Sequence, residues 1–337
     1  MSAAGRPLRA GVVGLGAMGR HHARVLGSLE GVELVAAADV GGDPHRAAGG
    51  ARVVRDVAAL LAVGVDLAVV AVPTAMHEEV AVPLAGAGVH VLVEKPLAQD
   101  PATAARIADA VAAAGVVGAV GHIERCNPAL RELRRRTAAG ELGRIHQVAT
   151  RRQGPFPARI GDVGVVKDLG THDIDSTAWI TGSPFAAVSA RTAHRTGRPH
   201  EDLAVVVGSL ADGTITNHVV NWMSPVKERV TVVTGEAGTF VADTLTADLT
   251  LHANGSVPVS WEALAGFRGV SEGDVTRFAF PKPEPLRTEL AGFRDAVLAG
   301  GDAGGSCTVS MAEGLQVVAV ADAVLRSAAG GVTVDLP

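Results

Sequence analysis

The chain has 337 residues, 47% of them hydrophobic, and a formal net charge of -5. Such a length predicts two domains, each with its own core. The slight acidic balance speaks against nucleic acid as a partner, and the lack of an unbroken apolar run of about 18 residues speaks against a membrane span.

The two cysteines, Cys126 and Cys307, stand far apart without metal-ligand or redox-pair spacing. That spacing suits a reducing cytoplasm and predicts small buried side chains rather than a disulfide framework. Arginine supplies most cations; the lysines are Lys95, Lys167, Lys227 and Lys282.

In chain order, the first third alternates short apolar strands with alanine-rich helices. Strands are predicted at Leu8 to Val13, Glu33 to Ala38, Leu67 to Val72, His90 to Val93 and Val116 to Val120. Helices are predicted at Arg20 to Leu29, Glu78 to Ala87 and Thr103 to Ala113. This rhythm belongs to a parallel sheet with crossover helices. An arginine-rich helix opened by Pro128 marks the junction, giving expected domains of residues 1–125 and 126–337.

Beyond Ile145 the runs lengthen and alternate, at Ile145 to Arg152, Ala187 to Thr192, Leu203 to Leu210, Thr214 to Trp222, Glu228 to Thr234 and Gly238 to Val241. Turn signals at Asp212-Gly213, Gly235-Glu236 and Asn254-Gly255 predict a mostly antiparallel sheet. One helix interrupts it from Lys167 to Thr181, ending at Gly182. Helices at Leu286 to Ala299 and Met311 to Ala328 and a short strand at Val332 to Leu336 close the chain.

Directly after the first strand stands Gly14-Leu15-Gly16-Ala17-Met18-Gly19, opening a helix. The first glycine permits a tight turn, the second lets backbone approach a pyrophosphate, and the third lets the helix pack close to the strand. Asp39, twenty residues after Gly19 at the end of the second strand, is placed to bind adenosine ribose hydroxyls. Its charge favours NAD over NADP, although Arg46 follows nearby. Val72, Pro73, Thr74 and His77, at and beyond the end of the next strand, are expected along the cofactor, as is Glu94.

Glu94-Lys95-Pro96 ends the following strand and brings Lys95 to the expected nicotinamide position. An ammonium there can bind a substrate hydroxyl and stabilise a developing alkoxide. The Lys95–Pro96 bond is a candidate cis peptide. In the second domain, Asp168 and His172 are four residues apart on a predicted helix, so a carboxylate can orient an imidazole that takes a proton from a hydroxyl. Asp175 stands three residues further on. No further His or Cys has the spacing to complete a metal site with these groups, and none is expected. Arg125, Arg151, Arg152 and Arg159 are candidates to pair with a substrate diphosphate, or are part of an arginine-rich surface.

Four segments together resemble the Gfo/Idh/MocA oxidoreductases: GVVGLGAMG at 11–19, VVAVPTAMH at 69–77, VEKPLA at 93–98 and DLGTHDID at 168–175. The resemblance implies an α/β architecture with an N-terminal Rossmann dinucleotide-binding domain. It also implies a C-terminal α/β domain for substrate binding and oligomerisation, built on a large, mostly antiparallel open sheet. Catalytic roles are implied for Lys95, Asp168 and His172, with Asp168 and His172 also meeting substrate. A homodimer or homotetramer through the C-terminal sheet is implied as well. Residues 121–128, 152–157 and 159–166 look like the UDP-N-acetylglucosamine 3-dehydrogenase branch, but His122 and Glu124 replace the tyrosine and arginine that many relatives carry, and Cys126 stands before the asparagine. The expected protein is a cytoplasmic NAD-dependent oxidoreductase acting on a secondary alcohol of a sugar or nucleotide sugar. A free polyol dehydrogenase of the inositol type and a non-catalytic NAD-binding regulator are the alternatives.

Overall fold

The structure is a computed structural model and describes residues 6–157, 160–161, 163–255, 271–301 and 307–337. The chain forms two compact units, one built on Met1–Cys126 and Pro283–Asp322, the other on Asn127–Pro157, Gly164–Lys282 and Ala323–Pro337. Among the described residues no helix is long and apolar enough to cross a membrane.

In the first unit, β1 (Leu8–Val13), β2 (Val32–Ala38), β3 (Arg52–Val54), β4 (Leu67–Val70), β5 (His90–Glu94) and β6 (Gly118–Gly121) form a parallel sheet. Their spatial order is β3-β2-β1-β4-β5-β6, and Val309–Ser310 adds an antiparallel edge beside β6. Successive residues on a strand face opposite sides. Accordingly Val13, Val70 and Val93 pack with Leu84 and Ile107, while Val12, Val69 and Leu92 pack with Leu26 and Phe293. Burial on both faces explains why these strands read as continuous apolar runs rather than alternating ones.

Leu286, Leu290, Phe293 and Val297, one face of the helix Pro285–Ala299, belong to the second of these cores. The tail segment Pro283–Asp322 therefore belongs to the first unit, a different division from a single cut at residues 125/126. The apolar period of a helix marks which face is buried, but not which sheet buries it. β3 and the helix Val57–Val63, capped by Asp56, also escape the sequence reading because they are too short for a clear period.

The two cysteines depart from expectation as well. Both are buried, but Cys126 and Cys307 are joined in a disulfide with Cα atoms 5.3 Å apart. Their separation of 181 residues hides the pairing. The close approach arises because Val309–Ser310 returns alongside β6, just before Cys126.

The second unit carries β7 (Ile145–Pro155), β8 (Phe185–Ala193), β9 (Leu203–Leu210), β10 (Ile215–Asn221), β11 (Met223–Gly235), β12 (Gly238–Asp243), β13 (Asp248–Gly255) and β14 (Ser271–Arg277). The sheet order is β14-β13-β12-β11-β7-β10-β9-β8, with Val334–Asp335 beside β8. Neighbours run antiparallel except β7 and β10. Leu130, Leu133, Trp179 and Ile180, from the helices Pro128–Ala138 and Thr171–Thr181, pack on Val148, Val233, Phe240 and Leu249. Asn254-Gly255, read as a turn, instead ends β13. The predicted helix from Lys167 is in two parts, a wide π turn at Val166–Gly170 followed by the α-helix Thr171–Thr181, which ends at Gly182 with φ of +70°.

Candidate active site

In the first unit, strand order reverses between β1 and β4, and open α/β sheets bind ligands at the carboxyl ends of strands flanking such a reversal. The glycine turn lies at that place. Gly14 has φ of +91°, and a Cβ on it would approach the Ala71 carbonyl oxygen to 2.5 Å. A Cβ on Gly19 would lie 1.8 Å from the Gly14 carbonyl oxygen, so only glycine lets the helix Gly19–Leu26 start this close to the turn. Gly16 is exposed, and a Cβ there would meet nothing within 4 Å. Glycine at that position is thus not required by the protein's own packing, but it keeps the outer side of the turn open for a bound group. Ala17 and Met18 are half-buried and complete the turn into the helix.

Asp39, just beyond β2, accepts the backbone N–H of Leu15 on Oδ2 and that of Gly41 on Oδ1, each at 2.7 Å. The carboxylate is fixed against the glycine turn while carboxylate lone pairs remain for a ribose. These features fit a dinucleotide. The turn's backbone and the helix N-terminus would hold the pyrophosphate, and Asp39 the adenosine ribose.

After β4, Val72 is half-buried, Pro73 exposed and Thr74 buried. His77 is 1% exposed, with Nδ1 at 3.1 Å from the Leu97 carbonyl and Nε2 at 3.1 Å from that of Val72. His77 thus ties the loop after β4 to the loop after β5. Burial pushes its imidazole below the ordinary value, although the two carbonyls favour the charged form.

Lys95 is half-buried at the end of β5, and the Lys95–Pro96 bond is cis. Glu94 is buried and turned inward, where it takes a hydrogen bond from His22 at 2.6 Å and one from the Lys95 backbone N–H at 3.1 Å. Burial drives the Glu94 carboxyl upward, but the hydrogen bond from His22 and the neighbouring positive charge hold it below the usual carboxylate range. The sequence reading passes over His22. Its only signal is its spacing of three from Gly19, which puts it on the helix face that also buries Ala23 and Leu26.

In the second unit, Asp168 lies buried in the π turn and His172 half-buried in the first turn of the α-helix. Single π turns recur at functional sites. Glu201, also passed over, pins this segment. Its backbone oxygen accepts Val165 N–H at 2.9 Å and its carboxylate accepts Val166 N–H at 3.0 Å. A Cβ on Gly164 would collide with that carboxylate at 2.1 Å. Asp175 is buried in the same helix.

Of the arginines expected to face a diphosphate, Arg125 and Arg152 are paired with carboxylates of their own chain. Arg152, with a side chain 4% exposed, donates to Asp173 at 2.8 Å, and Arg125, also 4% exposed, donates to Glu313 at 2.7 Å. A guanidinium buried beside a carboxylate of its own chain is neutralised before a ligand arrives. Arg151 is exposed and paired with Glu228. Arg159 lies outside the described residues.

The parallel sheet, its glycine turn and Asp39 define a dinucleotide-binding unit. Residues 8–122 match the NAD-binding Rossmann-fold model of the Gfo/Idh/MocA oxidoreductase family, and residues 130–241 match that family's C-terminal domain. The chain belongs to this family and is an NAD-binding oxidoreductase. It is 30% identical over 341 positions to inositol 2-dehydrogenase 2 of Saccharopolyspora erythraea, covering 96% of this chain and 94% of that one. UDP-N-acetylglucosamine 3-dehydrogenase GnnA from Acidithiobacillus ferrooxidans is similar in structure, with a TM-score of 0.81 and 28% identity over 95% of this chain and 97% of the other. GenD2 from gentamicin A biosynthesis, in complex with NAD, gives a TM-score of 0.80 and 28% identity over 100% and 98% of the two chains.

Proposed function

We propose that this oxidoreductase interconverts a secondary alcohol and a ketone on a polyhydroxylated ring, a sugar or a cyclic polyol. The observation that carries the reading is the presence in one chain of a complete dinucleotide turn, Lys95 on the strand end beside it, and Asp168 one turn from His172. His172 takes the hydroxyl proton, Asp168 orients and stabilises the imidazole, and Lys95 holds the oxygen as its negative charge develops. NAD, when bound, supplies the hydride acceptor.

Engagement of Arg125 and Arg152 by carboxylates of their own chain favours an uncharged polyol. The likeness to a UDP-N-acetylglucosamine 3-dehydrogenase supports a nucleotide sugar as the second reading. Absorbance of NADH formed across inositols, monosaccharides and UDP-sugars tests both. Turnover confined to uncharged polyols supports the first, and turnover confined to UDP-sugars supports the second. NAD binding with no turnover of any of them would overturn both substrate readings.

The second unit also fits a homodimer or homotetramer. Val205 and Val207 of β9 and Ile215 of β10 share one sheet face and are 42%, 50% and 49% exposed. Apolar side chains on such a face suit contact with a second copy. Sedimentation of the parent and of Val207→Glu would show an oligomer and its dissociation.

A further inference from the structure

The helix that follows the glycine turn and the strand end that carries Lys95 are joined by a buried pair. His22, 0% exposed, and Glu94, 8% exposed, are 72 residues apart in sequence, yet His22 Nε2 lies 2.6 Å from Glu94 Oε1. The other carboxylate oxygen accepts the backbone N–H of Lys95. Room for this carboxylate is left by Gly121 at the end of β6, the register partner of Glu94, where an added Cβ would come within 3.2 Å of the carboxyl. The His22 Nδ1 is buried and meets no partner among the described residues, so the ring's hydrogen bonding is directed to Glu94.

We infer that His22 is a positioning residue whose hydrogen bond to Glu94 holds the phosphate-binding helix and the Lys95 backbone in one frame. Glu94 is the link, since one oxygen is anchored by the helix and the other anchors the lysine. Removing the imidazole frees a buried carboxylate to seek another partner. The first turn of the helix and the Lys95 backbone then lose their common reference. The part concerning Lys95 rests on the catalytic role proposed above; the part concerning the helix does not.

The test uses the full chain with NAD titrated by calorimetry, and steady-state kinetics on a substrate turned over in the panel. In His22→Ala, NAD affinity and kcat at saturating NAD should each fall about tenfold. His22→Gln, whose amide N–H can again donate to Glu94, should recover both to within about threefold. A merely structural role would lower thermal stability in His22→Ala without this joint loss and rescue. Unchanged NAD affinity in folded His22→Ala overturns the inference, and so does unchanged kcat where Lys95→Ala impairs turnover. Where Lys95→Ala does not impair turnover, the role given to Lys95 has failed and NAD affinity alone decides. If His22→Ala does not fold, His22→Gln and Glu94→Gln carry the test. Near-parental behaviour of the first with loss in the second supports the inference, and any other pairing overturns it.

Discussion

Asp39 and Leu15 are bound to each other across two strand ends, the carboxylate of one accepting the backbone N–H of the other at 2.7 Å. The residue we propose to select the cofactor thus also braces the turn that would carry its phosphates. Asp39→Ala removes both functions. A hydrogen bond to a charged group contributes about 1.5–3 kcal/mol, so NAD affinity should fall about ten- to a hundredfold. NADP affinity should fall less or rise, because the charge that repels a 2'-phosphate is gone. Dissociation constants for both nucleotides check this, and an equal loss for the two would remove Asp39 from cofactor selection.

Lys95→Met and His172→Ala address the chemistry directly. Loss of a positioned acid or base typically lowers rate by about 10²–10⁴. Each variant should therefore show a kcat lower by about that range while its NAD dissociation constant stays within a few-fold of the parent. Parental turnover in both would refute the assigned roles.

Arg152 and Asp173 form a pair with side chains 4% and 1% exposed. Breaking such a pair from one side costs about 3–5 kcal/mol, whereas replacing both partners with apolar residues is often near neutral. Arg152→Ala should therefore lower the unfolding midpoint in denaturant, and Arg152→Met combined with Asp173→Leu should recover much of the loss. If Arg152→Ala raised KM and left stability untouched, the arginine would be a substrate ligand after all.

His218 gives the second unit a defined acid response. It is buried in β10, with Nδ1 2.8 Å from the Thr150 hydroxyl and its ring 5.9 Å from that of Phe185. Desolvation pushes its pKa from 6.5 down to about 4. Between those values the unfolded chain takes up a proton that the folded chain refuses. Stability is therefore full above pH 6.5 and falls as pH drops towards 4, by about 3 kcal/mol in all. Thermal unfolding at pH 7.5 and pH 5 should show this loss, and His218→Asn should reduce it. An identical pH dependence in the variant would show that another group is responsible.

Much of the dinucleotide unit was legible in the sequence because its signals are local. The strands of its sheet are apolar runs, the glycine turn directly follows the first of them, and Asp39 closes the second. The tripeptide Glu94-Lys95-Pro96 at a strand end made Lys95 a candidate and its bond to Pro96 a candidate cis peptide, and that bond is cis. His22 was not legible in the same way, since a histidine beside His21 and Arg20 gives no sign that it faces a carboxylate on β5.

What the sequence determined by itself, then, was the periodicity of the elements, the steric demand for glycine in the turn, and the spacing of Asp168 and His172. Tertiary structure decided which sheet received the helix Pro285–Ala299 and that Cys126 would meet Cys307. It also decided that Arg152 and Arg125 would be spent on Asp173 and Glu313, and that Glu94 would turn inward to His22. Apolar period and motif spacing act within one element, whereas ion pairs, disulfides and core partners depend on contacts between segments far apart in the chain, and those exist only once the fold has closed.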